Sequence, residues 1–205
     1  MQYGICLLSV VPVRAEANDA SEMVTQLLYG DHFKIMESHL NWLKIQVAYD
    51  EYEGWLDIKQ TAEIDKTTFD QLSQKTDYST DILSLITTST GQLLPVCIGS
   101  CIHASEALKH QFDGATNKGF SKHHIVDTAM LYLNSPYLWG GKSPFGIDCS
   151  GFSQMVYKIC GIQLKRDAYQ QAKQGYALSF IEESEPGDLA FFDNDEGRII
   201  HVGIM

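Results

Sequence analysis

The chain has 205 residues, enough for one or two domains, with 44% hydrophobic and 20% charged residues and a formal net charge of −11. This balance argues against a nucleic-acid or anionic-membrane partner, because no basic cluster exists to contact phosphates. The five cysteines, Cys6, Cys97, Cys101, Cys149 and Cys160, are odd in number and unlike a disulfide framework in spacing, which suits a reducing compartment.

Ile5 to Val13 is apolar enough to resemble the core of a signal peptide, but no Lys or Arg precedes it and Pro12 interrupts it. No segment reaches the ~18–20 apolar residues of a membrane-spanning helix, so a cytoplasmic protein is expected. Residues 1–60 read as short strands divided by turns: Cys6–Val13, Met23–Tyr29, His32–Glu37, Trp42–Ala48 and Gly54–Ile58. The last two flank an acidic tip from Tyr49 to Glu53. Strands at such close spacing predict a small barrel.

Residues 61–121 are expected to be a linker or a second, degenerate barrel. Thr61–Thr80 is polar, with a short helix expected over Thr68–Lys75. Asp81–Thr87, Leu93–Ile98 and Ile102–Ala104 are strand candidates, and Asp113-Gly114 and Lys118-Gly119 are turn signals. Cys97 and Cys101 are followed by no second ligand pair at zinc spacing, so no metal or other cofactor is expected. His103, His110, His123 and His124 read as packing or surface residues. Ser121–Asn134 repeats apolar residues at helical spacing and is stopped by Asn134-Ser135-Pro136.

Past Gly140, Gly141, Pro144 and Gly146, the residues Phe152, Met155, Val156, Ile159 and Cys160 recur at helical spacing up to Gly161. A helix must begin there, with Asp148 at or next to its N-cap and Cys149 in the first turn. The free N–H groups and the positive dipole end at that point favour a thiolate. A plain buried cysteine fits Cys160 better, since the apolar stripe starts only after Cys149. Further on, Asp167 precedes the helix formers Ala168–Lys173, where an N-cap is worth ~1 kcal/mol. From Arg198 to Met205 the chain reads as a strand, with Ile200, Val202 and Ile204 on one face and Ile199, His201 and Gly203 on the other. A cysteine at a helix start and a strand histidine make a candidate nucleophile and base.

The blocks YLWGG and GIDCSGF, then LKRDAYQQA, EPGDLAFF and HVGI, resemble in order the NlpC-type papain-like cysteine peptidases of bacterial cell-wall turnover, over about residues 122–205. The resemblance implies an α+β fold, with a helix bearing the cysteine packed on an antiparallel sheet. It makes Cys149 the nucleophile, His201 the general base and Tyr137 a residue that helps position the oxyanion. PVRAEANDASEMVTQLLYGD, NWLKIQV and DEYEGWLDI resemble a bacterial SH3-like domain, so one or two such barrels are expected in front. In relatives of this kind the barrel closes one side of the active site. That assigns Glu22 and Tyr52, with Asp167, to the α-ammonium of a terminal L-alanine, and Ser150 to the pocket lining. The hydroxyl that follows the family's aspartate is replaced here by Ala168, with the loss of one hydrogen bond. The implied reaction is hydrolysis of the γ-D-glutamyl–diamino acid bond in peptidoglycan stem peptides with a free N-terminal L-Ala, during recycling.

The family orients its base histidine with a third polar residue, usually His, about a dozen positions later on the next strand. This sequence stops at Met205, within an apolar strand, and is expected to be a fragment of a longer protein. The competing expectation is a peptidoglycan-fragment binder that keeps the pocket without a complete triad. An acyltransferase or amidase on the same Cys/His fold is a third.

Overall fold

The computed structural model describes residues 2–205. Seven strands come first: β1 (Gln2–Cys6), β2 (Val10–Arg14), β3 (Met23–Leu28), β4 (His32–His39), β5 (Trp42–Val47), β6 (Glu53–Asp57) and β7 (Thr61–Ile64). They form one antiparallel sheet in the order β3-β2-β6-β5-β4-β1-β7. Alternation in β5 turns Leu43, Ile45 and Val47 inward, onto a core with Val11, Phe33 and Leu56. The run Cys6–Val13, expected as one strand, is two. β1 pairs with β4 and β7 whereas β2 pairs with β3 and β6, so the chain has to bend between them. Thr61–Ile64, expected to begin a polar linker, instead extends the first sheet, with Tyr3 opposite Ile64.

Helix α1 (Lys66–Leu72) is capped by Asp65, whose carboxylate accepts from the Thr68 N–H at 2.7 Å. It buries Phe69 and Leu72 against the barrel. Next come β8 (Leu83–Thr87), β9 (Leu93–Cys97), helix α2 (Ala104–Ala107) and β10 (Gln111–Phe112), with the strands in the order β10-β8-β9. Their apolar side chains share a core with the barrel: Ile86 and Val96 pack with Ile5 and Tyr29. Ile102–Ala104, expected as a strand, is a turn leading into α2. The Ala104 N–H bonds the Cys101 carbonyl and the Ser105 N–H that of Ile102, and the helix formers that follow outweigh the β-branched Ile102.

The remaining chain contains a 3₁₀ turn at Lys122–His124 and α3 (Ile125–Met130). A hairpin of β11 (Lys142–Ser143) and β12 (Gly146–Ile147) leads into α4 (Cys149–Ile159), followed by α5 (Ala168–Gln171), β13 (Leu189–Asp193) and β14 (Ile199–Ile204). β13 and β14 form an antiparallel pair, and β14 packs on α4 and α5. α4 is central. Its Met155, Val156 and Ile159 meet Leu28 of the barrel and Cys97 and Ile98 of the second sheet in one cluster. No helix among the described residues is long and apolar enough to cross a membrane.

Candidate active site

Glycines set the start of α4. Gly140 takes φ +77 against the backbone of Met23, and Gly151 lies on the Gly141 carbonyl where a Cβ would collide. Asp148 is extended, at φ −97 and ψ 174, and accepts from the Gly151 N–H at 2.6 Å, so it is the N-cap and Cys149 the first helical residue. The other Asp148 oxygen accepts from the Gly140 N–H at 2.8 Å. Asp148 is buried, and its charge is met by Arg166, whose Nη1 and Nη2 donate to its two oxygens at 3.0 and 2.7 Å. Arg166 also donates to the Ser150 hydroxyl and to Thr25 of β3, both at 2.9 Å. The barrel, the cap of α4 and the segment before α5 are thus joined through one guanidinium.

Cys149 is partly exposed, whereas the other four cysteines are buried. It opens onto a pocket of about 600 Å³ that is also lined by Tyr137, Asp148, Phe152 and His201. Tyr137 is bridged to Ile147, just before the cap. Partial burial, then neighbouring Cys149 and Asp148, push its phenol above the ordinary value. His201 lies opposite Phe192, with ring centroids 5.7 Å apart. The face expected to hold Ile200, Val202 and Ile204 is only partly inward: Val202 is buried but Ile200 is 60% exposed. The pairing shifts between Phe192 and Asp193, and such a bulge turns one side chain out.

The other predicted residues gather on or near the seam between the barrel and the C-terminal domain, outside the lining of that pocket. The Tyr52 hydroxyl donates to Asp167 Oδ1 at 3.3 Å. Burial raises the Tyr52 phenol, and Asp167 raises it further. Burial also raises the Asp167 carboxyl, against the opposing pull of Arg166 and Tyr52. Glu22 is exposed and accepts from the Trp139 indole N–H at 2.6 Å, which ties it to the YLWGG block rather than to Tyr52. Ser150 is buried, its hydroxyl engaged by Arg166 and by Asp148 at 3.4 Å. Cys149, His201 and Tyr137 therefore form one group, and Tyr52 with Asp167 another. The Asp148–Arg166 pair connects them.

Sequence reasoning missed Arg166, Gln154 and Gln171. Gln171 donates to the Ser150 and Lys165 carbonyls at 2.9 and 2.8 Å and accepts from Ser153 at 2.7 Å. Gln154 donates to Asp50 at 2.8 Å and to the Leu164 carbonyl at 3.1 Å. The available signal was a polar residue every fourth position along α4: Ser150, Gln154, Lys158. Among the described residues no three His, Cys, Asp or Glu side chains are gathered as a metal would need.

Residues 134–205 match the NlpC/P60 family, and residues 13–60 match the bacterial dipeptidyl-peptidase Sh3 domain. Over 82 residues the chain is 45% identical to gamma-D-glutamyl-L-lysine dipeptidyl-peptidase of Bacillus subtilis (strain 168), covering 39% of this chain and 27% of that relative. Over 225 residues it is 28% identical to the protein of the same name from Bacillus cereus (strain ATCC 10987 / NRS 248), covering 91% of this chain and 65% of the relative. The chain thus spans less than two thirds of either relative's length. A crystal structure of an NlpC/P60 family protein from Bacillus cereus ATCC 10987 superposes with a TM-score of 0.80 at 19% identity, over 99% of this chain and 87% of the other. Both halves share that fold. The C-terminal stretch of the chain is thus similar to the NlpC/P60 family, and the stretch in front of it to a bacterial dipeptidyl-peptidase SH3 domain.

Proposed function

We propose that this protein is a cysteine endopeptidase that cuts the γ-D-glutamyl–diamino acid bond of peptidoglycan-derived peptides with a free N-terminal L-Ala. The observation that carries the reading is Cys149 at the first position of α4, in one pocket with His201 and Tyr137. His201 takes the proton of the Cys149 thiol, and the sulfur attacks the γ-carbonyl carbon of D-glutamate. Charge on the carbonyl oxygen is met by backbone N–H at the start of α4 and by the Tyr137 hydroxyl. Collapse of the tetrahedral adduct breaks the C–N bond, and the leaving amine takes the proton from His201. Water then hydrolyses the thioester and frees the dipeptide and the thiol.

The Tyr52–Asp167 contact supports the choice of a free N-terminus, because it places an acid and a phenol where barrel and catalytic domain meet. Two relatives named for a γ-D-glutamyl-L-lysine bond support the substrate class. A role in recycling, in the cytoplasm, follows from that selectivity and from the odd cysteine count. The test is mass spectrometry of L-Ala-γ-D-Glu-L-Lys, its diaminopimelate counterpart, the N-acetylated forms and intact sacculi after incubation with the protein. Cleavage of the free peptides about tenfold or more faster than of their N-acetylated forms, with intact sacculi left uncut and all cleavage lost in Cys149→Ala, is expected. Comparable cleavage of sacculi would overturn the recycling role, and no cleavage of any substrate would favour a fragment binder.

A further inference from the structure

The barrel meets the catalytic domain through buried charge as well as apolar packing. Asp31, in the turn between β3 and β4, is 2% exposed, Lys142 2% and Lys158 1%. Lys158, near the end of α4, donates to Asp31 Oδ1 at 3.1 Å, and the Lys142 ammonium lies 4.0 Å from Oδ2. The Leu28 N–H and the Cys101 thiol donate to the same carboxylate at 2.9 and 3.1 Å. The rings of Tyr49 and Tyr78 flank Lys158. One barrel carboxylate thus serves two lysines of the catalytic domain, one at the far end of the nucleophile's helix and one in the hairpin that leads into it.

Burial works against the charge on Asp31, but the two lysines and the Leu28 N–H hold its carboxyl well below the usual range. Lys158, the closer partner, is kept charged despite its burial; Lys142, farther away, is pushed down by burial. Three desolvated charges sharing one attraction are a poor device for stability, which apolar side chains supply as well. What they supply is geometry, since one carboxylate reaches both lysines in a single placement of barrel and hairpin. The Lys142 N–H, donating to Gln26 Oε1 of β3 at 2.8 Å, fastens the same contact. That placement also sets Tyr52 against Asp167 and Glu22 against Trp139.

We propose that Asp31, through Lys142 and Lys158, is a positioning residue that fixes the register between the barrel half and the catalytic half of the substrate pocket. The inference rests on the peptidase reading and adds a source for its selectivity. Lys142→Met cuts the tie to the hairpin while leaving the Asp31–Lys158 pair, so it is the variant to test. On L-Ala-γ-D-Glu-L-Lys its kcat/KM is expected to fall about tenfold or more, mainly through KM, as for a lost charge-assisted contact. Activity on the N-acetylated peptide and alkylation of Cys149 should hold within about twofold, and Lys142→Arg should restore selectivity. A wild-type ratio between the two peptides in Lys142→Met would overturn the proposal. So would an equal fall on both peptides together with slower alkylation, the mark of general destabilisation. If the wild type cleaves neither peptide, the peptidase reading fails separately, and amide exchange at Tyr52 and Gly140 decides the register. Faster exchange at both in Lys142→Met supports the tie, and unchanged exchange at both overturns it.

Discussion

Arg166 is 1% exposed and holds both oxygens of Asp148, which caps the helix that begins at Cys149. Removing one side of a buried, bidentate pair leaves the other charge unpaired, which costs about 3–5 kcal/mol. Arg166→Met is therefore expected to lower the urea unfolding midpoint sharply and to slow alkylation of Cys149. Arg166→Lys should rescue little, because an ammonium cannot make the two parallel bonds. Equal midpoints for wild type and Arg166→Met would contradict this account of the helix start. Cys149 and Asp148 were legible in the sequence because glycines, a proline and an apolar stripe mark one side of the helix start and then the other. Arg166 was not, since all of α4 and a loop separate it from Asp148 and spacing carries no information about such a pairing. The same holds for Tyr52 and Asp167, brought together only by the docking of two domains.

At the scale of elements, α4 shows why a polar stripe misleads. Ser150, Gln154 and Lys158 recur every four residues and would ordinarily be a solvated face. Here all three are buried, and they reach Arg166, Asp50 and Asp31. Asp50 and Asp31 of the barrel cover two of them and Arg166 the third, and the stripe by itself does not tell a covered polar face from a solvated one. Gln154→Leu should leave Asp50, 4% exposed, short of a donor, at about 1–3 kcal/mol. For a chain of this size that lowers Tm by about 2–4 °C per kcal/mol. Asp50 also accepts from the Tyr52 N–H at 3.0 Å, so cleavage of the free peptide should weaken as well. An unchanged Tm would show that water replaces the amide. The strands of the barrel were legible from alternation and turns. Ile102–Ala104 was not, because its β-branched residue outweighed, on paper, the turn bonds that the fold makes there.

Over the whole molecule, the three parts close on a cavity of about 260 Å³ lined by residues that include His32, Ser73, Tyr78, His103 and Lys158. The Ser73 hydroxyl donates to the Phe69 carbonyl at 2.9 Å, so His32 Nε2 must be the donor in its 2.9 Å bond to Ser73. Its Nδ1 is buried without a partner. Burial pushes the His32 ring down to about 4, with Asp31 opposing and His103 and Lys158 assisting, and burial lowers His103 as well. Above about pH 6.5 both states keep His32 neutral. Below that the unfolded chain binds a proton first, so stability should fall from about pH 6.5 to 4, by ~3 kcal/mol for His32 alone. Urea midpoints across that range check it, with a shallower slope expected for His32→Gln. A flat profile would show that the cavity solvates the charged ring.

The central claim is that Cys149 is the nucleophile, set apart by its place at the helix start, and iodoacetamide labelling at neutral pH followed by peptide mapping tests it most directly. The other four thiols are buried, and burial lifts Cys97 to about 11 and Cys101 to about 12, with Cys6 and Cys160 raised too. Cys149 should be alkylated at least about tenfold faster than any of them, with loss of peptide cleavage in step. Labelling of Cys149 no faster than that of Cys6 or Cys97 would contradict the account.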